Sequence, residues 1–247
     1  MNTTELLTIS SAICPDRDAI IFESQRFSFS RLAGRVNRLS NVLADMDVKK
    51  GDKVALLQVN CNQCIEAYFA TAKLGATYVP LNFRAKSDEL KYMINFSEAA
   101  ILLVGQRYVE MVNSIRGQLP GVKHYLSLEG PTNGMLEYES VLSDAEPEEV
   151  FTDIDDEDTT ILMFTAGTTG QPKGVMLTHD NLCTYILNNV TPADPELEEK
   201  NILTVPMYHI AGMQAVLAAV YGGRTLVIQR QFEPADWMEL VESEKVT

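Results

Sequence analysis

TTILMFTAGTTGQPKGVMLTH, Thr159 to His179, sets two apolar runs around a loop of unusual composition. Ile161 to Phe164 leads into nine residues, Thr165 to Lys173, that hold two glycines, three threonines, a proline and a lysine. Val175 to Leu177 follows. The flanks predict strands. A plain hairpin needs only about two to five connecting residues, so this loop is longer than a turn requires. Glycines let a backbone approach a ligand and present its N–H groups. Threonine hydroxyls donate to phosphate oxygens, and lysine adds a mobile positive charge. That chemistry suits a polyphosphate. On composition alone, a phosphate cradle and a glycine-rich turn stand level.

A Walker loop is excluded. It requires GxxxxGK[ST] followed by a helix. Counting from Gly167, Pro172 stands where the second glycine belongs, and Gly174 follows Lys173 where Ser or Thr belongs. The sequence after it, GVMLTH, has the pattern of a strand.

The 247 residues suffice for one large domain or two modest ones. With 46% hydrophobic and 22% charged residues, the composition is that of a soluble globular chain. Twenty basic and 34 acidic residues give a formal charge of −14. A nucleic-acid binder needs a basic stripe, so that class is set aside. A small anion is not, because a pocket can be locally positive on an acidic protein. The first twenty residues, MNTTELLTISSAICPDRDAI, lack a basic start and apolar middle. Ile210 to Gly223 is too short to span a bilayer. A cytoplasmic protein with free thiols at Cys14, Cys61, Cys64 and Cys183 is expected. Cys61 and Cys64 open a helical pattern, and His124, His179 and His209 lack metal-ligand spacing. The cysteine pair is therefore read as packing.

Along the chain, AIIF and RFSF predict two strands around a turn at Ser24-Gln25. A helix over Ser30–Asp47 carries Leu32, Val36, Leu39, Val42 and Leu43 on one face, with Ser28 or Ser30 as its cap. Strand Lys53–Val59, helix Gln63–Leu74, strand Thr77–Val79 and helix Ser87–Ser97, capped by Ser87, follow. AAILLVG is a continuous apolar strand, as burial on both faces requires. A helix over Tyr108–Gln118 and a strand over Lys123–Ser127 continue the alternation. Of the fifteen residues Asp144 to Asp158, nine are acidic and none is basic, the mark of a solvated connector. Beyond the glycine loop come a helix capped by Thr178 or Asp180, a strand from NILTV, a turn at Pro206, a small-residue helix, a strand from RTLVIQ and a helix from FEPADWMELVESEKVT. The fold class is α/β, with mostly parallel sheets flanked by helices. Val246-Thr247 has the look of a strand beginning, so a longer chain is expected.

FTAGTTGQPKGVMLTH resembles the signature loop T-[ST]-G-[ST]-T-G-x-P-K-G of the acyl-adenylate-forming superfamily, which includes acyl-CoA synthetases, peptide-synthetase adenylation domains and firefly luciferases. It departs at Ala166, where Ser or Thr is common, which removes one side-chain hydroxyl and leaves the backbone cradle. RFSFSRL is similar to the early L-T-Y-x-E-L motif, AKLGATYVPLNFR to K-A-G-x-x-x-x-P-L-[ND], and VPMYHIAG to P-x-[FY]-H-x-x-G. They occur in the family order and cover nearly the whole chain. NFR and the last motif point to acyl- or aryl-CoA ligases.

The resemblance implies an incomplete N-terminal AMP-binding domain: a first α/β part at 1–143, an acidic connector at 144–158, and the phosphate loop with the start of an acyl pocket at 159–247. It implies an acid–thiol ligase that uses ATP, Mg²⁺ and coenzyme A on a small-molecule carboxylic acid, a fatty or aryl acid. Thr165, Ala166, Gly167, Thr168, Thr169, Gly170, Gln171, Pro172 and Lys173 would enclose the β- and γ-phosphates. Lys173 would be the counter-charge, Thr165 a metal contact, and His209 a carboxylate-orienting residue in the acyl pocket. Tyr208 and Met213 are pocket neighbours or core. His179 is read as a loop or surface contact. The family's Y-G-x-T-E and T-G-D motifs do not occur in these 247 residues, so this chain alone is expected to be inactive. The other reading is a non-catalytic short homologue that binds ATP or a partner. A homodimer is compatible with either.

Overall fold

The computed structural model describes residues 1–165 and 171–247. In chain order the elements are α1 Thr3–Ile13, β1 Asp18–Phe22, β2 Gln25–Ser28, α2 Phe29–Asp45, β3 Lys53–Leu57, α3 Asn62–Lys73, β4 Thr77–Pro80, α4 Ser87–Ser97, β5 Ile101–Val104, α5 Val109–Ile115, β6 His124–Ser127, β7 Leu136–Glu137 and α6 Tyr138–Asp144. Then come β8 Thr159–Thr165, β9 Lys173–Thr178, α7 His179–Asn189, β10 Lys200–Leu203, α8 Ile210–Tyr221, β11 Thr225–Ile228 and α9 Pro234–Glu244. One sheet has seven strands in the order β7-β6-β5-β3-β4-β8-β9, the other four in the order β10-β11-β1-β2. Pairing is parallel except for β8 with β9 and β1 with β2, each joined as a hairpin.

The period-two rule explains the layering. Side chains of a strand alternate between faces, and those of the seven-stranded sheet divide cleanly. Val54, Leu56, Ile101 and Leu103 enter one core with α1, α2, α3, α7 and α8. Ala55, Leu57, Leu102 and Val104 enter a second with α4 and α5. The four-stranded sheet sends Ile20, Phe22, Leu226 and Ile228 into the first core, so the two sheets share it. β5 is buried along its full length, as its unbroken apolar run requires. On α2, Leu32, Val36, Leu39, Val42 and Leu43 are buried, and Ser28 Oγ caps the helix by accepting from Arg31 N at 3.2 Å.

The structure departs from sequence expectation at several places. The β1–β2 turn is at Glu23-Ser24, one residue earlier, with Glu23 at φ 53°. The α4 cap is Lys86, whose N–H donates to Glu89 Oε2 at 2.9 Å, so a carboxylate three residues on replaces the Ser87 hydroxyl. The helix expected over Tyr108–Gln118 is α only over Val109–Ile115, with 3₁₀ turns on both sides. The acidic segment is strapped to the surface. Asn41 Nδ2 donates to Glu146 O at 3.0 Å and Glu148 O at 2.9 Å, Lys73 pairs with Glu149, and Lys50 pairs with Asp158 at 2.6 Å. Cys61 and Cys64 are buried at the start of α3 with sulfurs 3.4 Å apart, and burial pushes the Cys61 thiol pKa up.

His179 is not at the surface. It is 1% exposed, and its Nδ1 accepts from Thr3 N at 3.2 Å and lies 2.9 Å from Thr3 Oγ1. It therefore pins the start of α1 against α7. Among the described residues no helix is long and apolar enough to cross a membrane.

Burial pushes the His179 imidazole from 6.5 down to about 4, against the opposing pull of Asp158 and Asp156. Between those pH values the unfolded chain binds more protons than the folded one. The contribution is intact above pH 6.5 and is lost as pH falls toward 4. A shift of this size corresponds to roughly 3 kcal/mol. His179→Asn keeps an acceptor near the Nδ1 position and removes the titration. Urea melts across this range are expected to show wild type losing stability relative to His179→Asn by that order; parallel curves would contradict it.

Candidate functional site

β3, β4 and β8 run parallel, so their C-terminal ends share one edge of the large sheet. Ligands of open α/β sheets bind outside such an edge. Thr165 ends β8, Lys173 opens β9, and the two are directly paired across the ladder. Both are exposed, and Thr165 Oγ1 lies 3.5 Å from Lys173 O. Gln171 is exposed and Pro172 half-buried. Ala166, Gly167, Thr168, Thr169 and Gly170 lie outside the described residues. Gly174, where a Walker loop would need Ser or Thr, has a packing reason. A Cβ there would stand 3.0 Å from Leu162 Cδ1 and 3.1 Å from Phe96 Cε1.

His209 reaches the same edge by another route. β10 ends at Leu203, and the chain turns through Pro206 to His209, the N-cap position of α8. Met207 packs into the first core and Tyr208 into the second. Consecutive side chains of this turn therefore drop on opposite sides of the large sheet, and His209 follows on the outside, exposed. Its ring centroid is 4.3 Å from that of Tyr208, which meets Phe83 edge-on at 5.2 Å. Phe83 and Arg84 follow β4, and Arg84 lies over the Phe83 ring at 5.4 Å. Phe164, next to Thr165, belongs to the same core as Tyr208 and Phe83. The edge thus gathers Thr165, Lys173, Arg84 and His209. Met213 is fully buried in the first core, where it acts as packing.

Two residues that sequence reasoning left without a role hold this turn. A Cβ on Gly212 would stand 2.4 Å from Pro206 O, so only glycine lets α8 seat against the turn. Asn60, just after β3 and 2% exposed, accepts from Met207 N at 2.9 Å and donates to Val205 O at 3.1 Å and Gln229 O at 3.3 Å. The second sheet is tied to the same edge. Arg230, just beyond β11, bonds Glu129 Oε1 at 2.9 Å. Burial raises the Glu129 pKa, but Arg230, the Gln106 N–H and Gln58 outweigh it and hold the carboxyl below its usual range. A cavity of about 310 Å³ lies elsewhere, lined by Lys53, Thr77 and Thr159 at the N-terminal strand ends. It is on the opposite edge from Lys173 and His209.

This architecture has known counterparts. The family model described as AMP-binding enzyme matches residues 9–247. An indoleacetate–CoA ligase of Aromatoleum aromaticum is 27% identical over 251 residues, which cover 100% of this chain and 49% of that protein. A feruloyl-CoA synthase of an Amycolatopsis species is 33% identical over 235 residues, covering 94% of this chain and 45% of that protein. The inhibitor-bound N-terminal domain of FACL13 from Mycobacterium tuberculosis superposes with a TM-score of 0.90 at 26% identity, covering 99% of this chain and 61% of that one. The chain spans about half the length of the curated relatives it matches.

Gly212→Ala tests the seat of the turn. The added methyl cannot be accommodated without moving Pro206 or α8. A loss of about 1–3 kcal/mol in urea unfolding is expected, as for overpacked cores. Unchanged stability would show that the turn is looser than described.

Proposed function

The chain belongs to the AMP-binding enzyme family, and from that premise we propose that it carries the ATP- and acid-binding part of an acid–thiol ligase. The observation that supports this reading is that Thr165 at the end of β8 pairs with Lys173, while the turn bearing His209 is bonded to Asn60 just beyond β3 of the same parallel sheet.

The reaction opens with an anion attacking a polyanion. A carboxylate oxygen bonds to the α-phosphorus of ATP, and the bridging bond to the β-phosphate breaks, releasing pyrophosphate. Charge must be neutralised and the groups held in line. By the motif's resemblance, the segment 165–173 would bind the β- and γ-phosphates, with Lys173 as the positive charge. The Thr165 hydroxyl, exposed at the strand end beside the Lys173 carbonyl, is an oxygen donor of the kind Mg²⁺ accepts alongside water and substrate phosphates. A Mg²⁺ held there would supply further charge neutralisation. His209 orients the incoming carboxylate. A coenzyme A thiol then takes the acyl group, losing its proton, and AMP leaves. The acid is a fatty or aryl acid, since similar ligases are named for indoleacetate and ferulate and others for medium- and long-chain fatty acids.

Carboxylate-dependent exchange of labelled pyrophosphate into ATP tests this, with a panel of fatty and aryl acids. The 247-residue chain alone is expected to bind ATP weakly and to form no thioester. Joined to the second half of such a ligase, it is expected to exchange. Lys173→Ala should lower that exchange by about 10²-fold or more, the usual cost of losing one preorganised charge-stabilising group. Full thioester turnover by the chain alone would contradict the first expectation. No exchange by the joined, folded protein would leave a non-catalytic nucleotide- or partner-binding protein instead.

A further inference from the structure

We propose that Asn60 is a positioning residue for acid activation, setting the place of His209 through the backbone that carries it; this rests on the function proposed above for His209. The turn from Val205 to Met207 lies between a strand and a helix, so neither ladder nor helix satisfies its inward polar groups. One side chain does. Asn60 Oδ1 accepts the Met207 N–H at 2.9 Å, and Asn60 Nδ2 donates to Val205 O at 3.1 Å. The second Nδ2 hydrogen goes to Gln229 O at 3.3 Å, beyond the end of β11. The backbone N–H of Asn60 donates to Arg230 O at 3.2 Å. The amide orientation is fixed chemically: one partner is a donor and two are acceptors, so oxygen must face Met207 and nitrogen the carbonyls.

Three strand ends, those of β3, β10 and β11, therefore meet at one amide buried to 2% exposure. Met207 is two residues from His209. The His209 carbonyl already accepts from Gly212 N at 3.0 Å and Met213 N at 3.2 Å, which fixes it to α8. Asn60 fixes the other side of the turn to the large sheet. The backbone that carries His209 is thereby held relative to the large sheet, whose β8 and β9 carry Thr165 and Lys173. Small misplacements of a positioning group cost rate steeply. Asparagine is the side chain that fits. Aspartate has its size but cannot donate to the two carbonyls, and a buried carboxylate facing them is unfavourable.

Asn60→Asp is the test, with two arms. In the ¹⁵N-labelled chain, the Met207 amide signal, now facing a carboxylate in place of an amide oxygen, and the His209 ring signals should move, while those of His124 and His179 hold still. Val36→Ala, a core truncation on α2, controls for lost stability and should leave Met207 and His209 as in wild type. If Asn60→Asp does not fold, Asn60→Ser carries the same test, since a hydroxyl cannot span both carbonyls and the amide. In the joined ligase, the variant should raise KM for the acid and lower the exchange rate about tenfold, the size of effect a modest misplacement produces, with KM for ATP unchanged. Unmoved Met207 and His209 signals, or equal movement in Val36→Ala, would overturn the proposal. So would an unchanged KM for the acid. If wild-type pyrophosphate exchange itself is absent, the functional reading fails, and the Met207 amide and His209 ring signals still decide whether Asn60 places His209.

Discussion

A buried amide holds the two sheets together at the edge where their strands end. Asn60, just beyond β3, satisfies groups from the turn after β10 and from the end of β11. Unpaired buried backbone groups cost about 1–3 kcal/mol each, so these strand ends could not approach without such a side chain. Once they do, the rest follows. Met207 and Tyr208 drop into separate cores, Gly212 lets α8 close on the turn, and His209 emerges above the sheet edge. The hairpin of β8 and β9 brings Thr165 and Lys173 to that edge from the other direction.

Charge is distributed to match. The acidic segment 144–158 ends where β8 begins, held there by Lys50 and by the amino terminus, which pairs with Asp156 at 2.6 Å. The seven residues of β8 separate that end from Lys173 by roughly 20 Å at the rise of a strand. That is more than twice the screening length of about 8 Å at physiological salt. A chain of formal charge −14 can thus keep an edge hospitable to a polyphosphate. The cavity of about 310 Å³ at the opposite edge stands beside Asp158.

Much of this was legible in the sequence. The parallel sheet followed from apolar runs such as Ile101–Val104, and α2 from its 3.6-residue stripe. The roles of Thr165, Lys173 and His209 rest on the resemblance of the motifs that carry them. The misses have physical causes. α1 carries only the weak signal of a capping box, Asn2 with Glu5. α6 is a short helix anchored by tertiary contacts: Tyr138 Oη donates to buried Glu66 at 2.7 Å, and Glu66 is paired with Arg35 at 2.9 Å. His179 looked like a loop residue because its partner, Thr3, is 176 positions away. Asn60 was passed over for the same reason. Its partners lie 145 to 169 positions downstream, and a lone asparagine after a strand resembles any turn.

The most direct measurement of the central claim is amide chemical-shift mapping of the ¹⁵N-labelled chain with saturating MgATP. The largest changes should fall at Thr165, Gln171 and Lys173, with smaller ones at His209. Lys53, Thr77 and Thr159, at the other end of the same strands, should stay still. Changes centred on those three residues, or none anywhere in the folded chain, would contradict a phosphate site at the C-terminal edge.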